Sequence, residues 1–420
     1  MRLGWPARGP FQERDFRLFL VGQAISLLGS GMVSVALAFA VLDLTGSVAD
    51  LGFVLGAETV AQVTFLLAGG VIADRLSRRS VMVVSNLSSC ASQGATAALL
   101  IAGEARIWEL IVLQVVSGGA FAFFQPAETG LVPQIVSEAR LQQANALRSL
   151  TSSIGTVAGP AVAGLLVVTV GPGWALAADA ASFATGAVFL SRLQRQARVP
   201  WSRPHPVRDL IEGWSEYWAR RWLVLLNVNA TLINVFVVAP LYVLGPAVAK
   251  HSLGGPGAWA LILSSDGGGG VIGSFVGLRL RVRHRLSLGI ALGVLLAPLL
   301  AMLALRLPAA AIAPIAFLGG MMAPIRFTFN QTTGHEQFPP ELRSRLSSFG
   351  SLGSIAFAPI GFATTGLIAT HLLGITGTLW LATADAIVAS IGIAAAPSVF
   401  KIEARPTERA TATSDPAGYA

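Results

Sequence analysis

Four carboxylates stand inside long apolar runs of this chain: Glu58, Asp179, Asp266 and Asp385. A charge at bilayer depth costs roughly 3 kcal/mol or more, so such a group by default marks a cavity and a function. Removing a carboxylate from water disfavours its charged form, which lets it hold a proton near neutral pH. The proton can leave when a cavity opens to the other side or when a cation binds. No histidine is placed for this work: His205, His251, His284, His335 and His371 all fall in or beside predicted loops. Glu58 precedes Asp74 by 16 residues, about 24 Å of helix. With Asp74 at the inner surface, Glu58 lies in the outer half of the membrane. Glu58 is the first choice for a proton carrier and Asp266 the second. Asp179 and Asp385 read equally well as structural carboxylates bonded to a neighbouring helix near the rim. Asp43 reads as a rim residue.

Polar groups that could line a cavity are Gln23, Gln62, Asn227, Asn229 and Asn234, with Phe121, Phe123, Phe124, Phe236 and Tyr242 as aromatic companions. Pockets for small molecules are mainly apolar with few placed polar groups. In a membrane, most such aromatics face lipid or pack helices. The run Gly267 to Gly270 has no Lys-Ser/Thr after it, so it reads as helix packing or a flexible point rather than a phosphate loop. Cys90 is the only cysteine, and the histidines form no metal-ligand spacing. No nucleophile–base set, paired catalytic carboxylates or nucleotide motif is visible. The chain therefore reads as a non-enzyme without cofactor or metal.

These residues need helices in lipid to position them. Of 420 residues, 54% are hydrophobic and 12% charged, with mean hydropathy +0.68; a soluble domain carries about 25% charge. The apolar runs are about 20 residues long and do not alternate, which is the signature of spanning helices rather than barrel strands. Twelve runs are predicted, near 18–42, 51–73, 80–102, 108–130, 148–170, 174–190, 222–245, 258–278, 286–305, 309–329, 349–371 and 376–396. The fold class is thus an all-α membrane protein of twelve spans in two six-helix halves. A polar N-terminus covers 1–17, the first half 18–190, a linker 191–221, the second half 222–396 and a polar, disordered tail 397–420. No cleavable signal peptide is visible, so the first span stays in the mature protein. Within the linker, Leu210, Trp214 and Trp218 would share one face of a surface helix. The net charge of +8 is not a nucleic-acid signal. With the N-terminus inside, only Arg106, Lys250 and Arg306 of 29 basic residues fall outside, as the positive-inside rule requires. Both termini are then cytoplasmic, in a multi-pass protein of the cell membrane.

The halves resemble each other at an offset near 200 residues. Glu58 lies opposite Asp266, Asp179 opposite Asp385, and Gly159-Pro160 opposite Ala358-Pro359. Chance similarity among Ala/Gly-rich helices would explain any one match, but several in register favour a duplicated six-helix unit, a known transporter plan.

Two motifs add a family. The loop Gly70-Val-Ile-Ala-Asp74-Arg75-Leu-Ser-Arg78-Arg79 resembles the signature loop of the major facilitator superfamily, with Ser77 where a second glycine is usual. It reads as a conformational latch in which Asp74 pairs with arginines and a helix terminus in one state only. A plain positive-inside anchor would need the arginines alone. The corresponding loop, Gly277 to Arg285, keeps the charge but lacks the aspartate, so a weaker latch is expected there. In the fifth span, Gly155, Gly159, Pro160 and Gly164 resemble the antiporter motif of the same superfamily, with Ala163 replacing a glycine. Small residues four apart let backbones approach closely, and the proline bends the helix. Segments such as FRLFLVGQAISLLGSG and LQQANAL resemble bacterial drug:proton antiporters of the macrolide-efflux type, a branch that siderophore exporters share. The resemblance spans about residues 11–400. It implies proton-coupled export of hydrophobic or amphipathic small molecules by alternating access, such as antibiotic efflux. A dedicated siderophore or metabolite exporter and an uncoupled facilitator or importer are the alternatives. The partners expected are the lipid bilayer, protons and one small-molecule substrate, with the chain acting as a monomer.

Overall fold

The computed structural model describes residues 9–194, 217–280, 282–338 and 353–402. Twelve long helices run through them. α1 is Arg14–Thr45, α2 Val48–Arg75, α3 Arg78–Ala102, α4 Ile107–Ile135, α5 Leu141–Thr169 and α6 Pro172–Ser191. α7 is Arg221–Leu253, α8 Pro256–Arg279 and α9 Arg285–Ala304. α10 is Ala309–Gly320 continuing as Met322–Gln337, α11 is Ala358–His371 and α12 Gly374–Ala394.

Local sequence explains the ends and the irregularities. Gly46 and Gly103 take φ of 67° and 71°, a left-handed geometry that closes α1 and α3 and suits glycine. Ser47 and Ser77 cap α2 and α3, accepting from the amides of Asp50 and Ser80. Ser77 has φ −63°, so the turn never needs the glycine freedom that the family pattern suggests. In α7, Asn234–Val238 forms a π turn just before Pro240. Proline lacks an N–H and its ring crowds the carbonyl four residues back, which relaxes the turn. Pro324 has the same relation to the break at Met321 in α10.

Among the described residues, eleven helices are long and apolar enough to cross a membrane. The expectation of twelve misses by α3, and the reason is composition. Over its 25 residues α3 buries Ser85, Asn86, Ser89, Ser92, Gln93 and Thr96. These polar side chains turn inward: Ser92 Oγ donates to the Leu113 carbonyl of α4 at 2.5 Å, and Asn86 lies against Gly186 of α6. The chain is thus an all-α, multi-spanning membrane protein.

α1 packs on α5 and α6, α2 on α4, and α3 on α4 and α6. Later in the chain α8 and α9 pack on α10, α9 on α12, and α7 on α11 and α12. The two groups meet through α2 with α11 and α5 with α8. Glycines permit these seams. A Cβ at Gly52 would strike the Phe362 carbonyl, one at Gly366 would strike Ala49, and one at Gly164 would strike Ala260. All three lie near the face opposite the one where α1 begins. At that first face, the surroundings of the chain ends are polar. Glu13 accepts from the Ser137 amide at 3.1 Å and pairs with Arg140 at 3.3 Å, and Arg285 pairs with Glu336 at 2.6 Å. The linker from 195 to 216, with Leu210 and Trp214, and the tail from 403 lie outside the described residues.

Candidate functional site

Glu58 stands ten residues into α2, counted from the face opposite the termini, about 15 Å deep. It is half-buried and accepts a hydrogen bond from Gln62 Nε2 one turn on, at 3.1 Å. Its backbone lies against Gly118 of α4, where a Cβ would strike the Glu58 carbonyl. Asp179 of α6 is fully buried, within electrostatic range of Glu58. Ser182 Oγ donates to it at 3.4 Å, while Oδ2 has no partner. Gly29 of α1 makes room for both Asp179 and Ser182. The sequence pairs these carboxylates across the repeat, Glu58 with Asp266 and Asp179 with Asp385.

Two glutamines that composition did not flag sit at the same depth. Gln114 is fully buried with neither side-chain polar atom bonded, and Gln93 is 2% exposed with Oε1 unbonded. Counted from that face, Gln93 is nine residues deep, Gln114 seven and Asp179 seven. Buried polar atoms without partners are few in native proteins and ask for a reason. The sequence signal was the unusual run of polar residues in the third span.

The other carboxylates stay apart. Asp266 of α8 is half-buried, and its carbonyl packs on Gly320 of α10. Tyr242 of α7 lies within electrostatic range of it. Asp385 of α12 is half-buried, with Oδ2 enclosed and unbonded. Gln23 is half-buried in α1. The asparagines are engaged in packing. Asn227 Nδ2 donates to Tyr217 Oη at 2.7 Å, Asn229 to the Ala389 carbonyl at 3.0 Å and Asn234 to the Ser354 carbonyl at 2.9 Å. They tie α7 to its neighbours.

The motif after α2 is visible in part. The side chains of Asp74 and Arg75, and Gly70, lie outside the described residues. Arg78 donates to the Gly130 carbonyl of α4, and Arg79 to the carbonyls of Leu190, at 3.1 Å, and Ser191 of α6. Arg79 sits on the C-terminus of α6, where unpaired carbonyls and the helix dipole favour a cation, and Arg78 binds α4 a turn before its end. At Gly130 a side chain would occupy the place of the Arg78 guanidinium. In α5, Gly155 and Gly159 receive α1 at Leu27 and Gly31, and Gly164 receives α8 at Ala260. The motif therefore joins α5 to two helices, one in each group. Gly267 meets Thr156 of α5 and Gly269 meets Phe317 of α10, so the glycine run serves close packing.

Asp43 is more than a rim residue. Its Oδ1 pairs with Lys250 Nζ at 2.6 Å, and Lys250 also donates to the Leu42 carbonyl at 2.7 Å. This bond spans from α1 to α7 at the face opposite the termini. Arg326 lies inside the tenth predicted run, 309–329, and inside the spanning helix Ala309–Gly334.

A bundle of this kind, with an ion pair and glycine seams joining two groups of helices, is a polytopic membrane fold. Residues 19–358 match the family model described as Major Facilitator Superfamily, and the chain belongs to that superfamily. It is 24% identical over 388 residues to macrolide efflux protein A of Streptococcus pyogenes, covering 87% of this chain and 93% of that protein. It is 26% identical over 199 residues to the enterobactin exporter EntS of Shigella boydii, covering 47% of this chain and 48% of that one. A bacterial homologue of the human lysosomal transporter Spinster, solved in an inward-facing and unoccupied conformation, superposes with a TM-score of 0.74. It covers 94% of this chain and 98% of its own at 13% identity, a likeness of fold. The protein is thus a membrane transporter and not an enzyme, distantly related to multidrug-efflux and siderophore-exporter families.

Proposed function

We propose that the protein exports hydrophobic or amphipathic small molecules in exchange for protons, by alternating access between two pseudo-symmetric six-helix halves. α1–α6 form one half and α7–α12 the other, with α3 completing the count of twelve spans. With the termini in the cytoplasm, the seams at Gly52, Gly164 and Gly366 and the Asp43–Lys250 pair close the outer side, so this is the inward-facing state. The loop from Gly70 to Arg79 is the latch of the opposite state, and Arg78 and Arg79 already hold its near end to α4 and α6. The monomer is sufficient, since each seam is internal to the chain.

The observation that carries the reading is Glu58: a half-buried carboxylate inside a spanning helix, held by Gln62. Such a group is a candidate to take up and release a proton as the cavity opens to either side. Asp266 is the second proton candidate and Asp385 the third. Gln23 and Gln62 are the polar groups proposed for the substrate path, with Asn227 and Asn234 at its α7 wall. The likeness to a macrolide efflux protein over most of both chains supports a drug-like substrate. The partial likeness to an enterobactin exporter favours a dedicated siderophore-type exporter as the second reading. Efflux of a panel of dyes and antibiotics from cells, with and without a protonophore, tests the first. Broad efflux that collapses with the protonophore supports it, and absence of efflux across the panel shifts the reading to the dedicated exporter.

A further inference from the structure

Arg326 stands within the spanning helix of α10, Ala309–Gly334, and is half-buried. Among the described residues it forms no ion pair or hydrogen bond. A guanidinium left without a partner inside a spanning helix turns to the bundle interior or to a water-filled cavity.

Neighbouring helices fix which way α10 faces. α8 approaches Met321 and Ile325 through Gly273 and Gly277, and α9 approaches Phe329 and the stem of Arg326 through Gly289. Leu318, one turn before Met322, is exposed. The opposite arc carries Phe327, Asn330 and Gln331. Phe327 is 63% exposed, and Asn330 Oδ1 is enclosed without a hydrogen bond. The arc leads into Thr332-Thr-Gly-His-Glu-Gln337, turns too polar to face hydrocarbon. It therefore borders water at the open side of the bundle, with Arg326 on its edge and Asn330 one turn on.

We propose that Arg326, assisted by Asn330, is an anion-recognition point in the substrate path, and that the exported molecule is an amphipathic organic anion with a carboxylate-type group on an apolar body. This rests on the exporter reading and sharpens it. A guanidinium presents five donors in a planar fork that matches a carboxylate two bonds at a time. Phe327 offers an apolar surface one residue away. A cationic amphipath of the same size meets an uncompensated like charge there and is disfavoured.

The test uses the full chain in lipid nanodiscs with dansyl-phenylalanine, which carries one carboxylate, and its uncharged methyl ester, with empty discs subtracted. The wild type should bind the acid about tenfold more tightly than the ester. Arg326→Gln should remove that preference while leaving ester binding in place, and Arg326→Lys should keep part of it. Equal binding of acid and ester by the wild type, binding of neither, or a preference that survives Arg326→Gln overturns the proposal. If Arg326→Gln does not fold, the wild-type ratio and its retention in Arg326→Lys decide. Gradient-driven flux into proteoliposomes separates the two levels. Flux of the ester without any acid preference refutes the anion site alone, whereas no gradient dependence for either probe refutes the exporter reading.

Discussion

Glu58 and Asp43 illustrate two kinds of charged residue in this protein. Glu58 has one hydrogen-bond partner, Gln62, inside the bundle, so its protonation state is free to change with its surroundings. Glu58→Gln mimics the protonated form permanently. It should abolish gradient-driven export while leaving substrate exchange across the membrane within about threefold of wild type, a split that mere unfolding would not give. Asp43 and Lys250 pair at 2.6 Å with side chains 52% and 28% exposed. An exposed pair contributes about 0–1 kcal/mol. Asp43→Asn should leave the melting temperature nearly unchanged and raise labelling from the outer side by a few-fold, and the exchange Asp43→Lys with Lys250→Asp should restore the wild-type level. The carboxylates were legible in the sequence because charge inside an apolar run is conspicuous. Gln93, Gln114 and the Asp43–Lys250 pair were not, because amides blend into a polar-rich helix and the pair joins residues 207 positions apart.

At the scale of helices, the glycines divide into two sets with different expected costs. Gly159 meets Gly31 within one group of helices, a contact every state of the transporter keeps. Gly159→Leu overpacks it and should lower stability by about 1–3 kcal/mol or more, read as a fall in melting temperature in detergent. Gly366 meets Ala49 across the two groups, a contact that opens when the outer side opens. Gly366→Leu should keep most of the stability and shift the population toward the outward-open state. Lower cross-linking between cysteines placed at 43 and 250, in a Cys90→Ser background, would report that shift. Most helices were legible to within a few residues because lipid demands long apolar runs. α3 passes the eye by length but not by hydropathy, since its polar side chains bond to α4 and α6 instead of facing lipid. The tenth span was read as ending at 329, whereas α10 continues to Gln337. Its last turns are polar, with Glu336 paired to Arg285, and hydropathy alone does not distinguish such turns from a loop.

For the whole molecule, the account joins an architecture to a cycle. The family and the multi-spanning fold follow from the match over residues 19–358 and the superposition on a solved transporter. The arginine placement predicts cytoplasmic termini, so a tag after Ala420 should be cleaved by protease in inside-out vesicles and protected in intact cells. Direction and coupling are proposals that rest on motif resemblance, because both are properties of a pair of states and a sequence encodes them in small energy differences between seams. The central claim is tested most directly by flux in proteoliposomes of uniform orientation, with an imposed pH gradient, for the wild type and Glu58→Gln. The account predicts substrate movement opposite to the proton gradient in the wild type, abolished when the gradient is collapsed and absent in Glu58→Gln. Movement in the wild type that ignores the gradient, or gradient-driven movement that persists in Glu58→Gln, would contradict it.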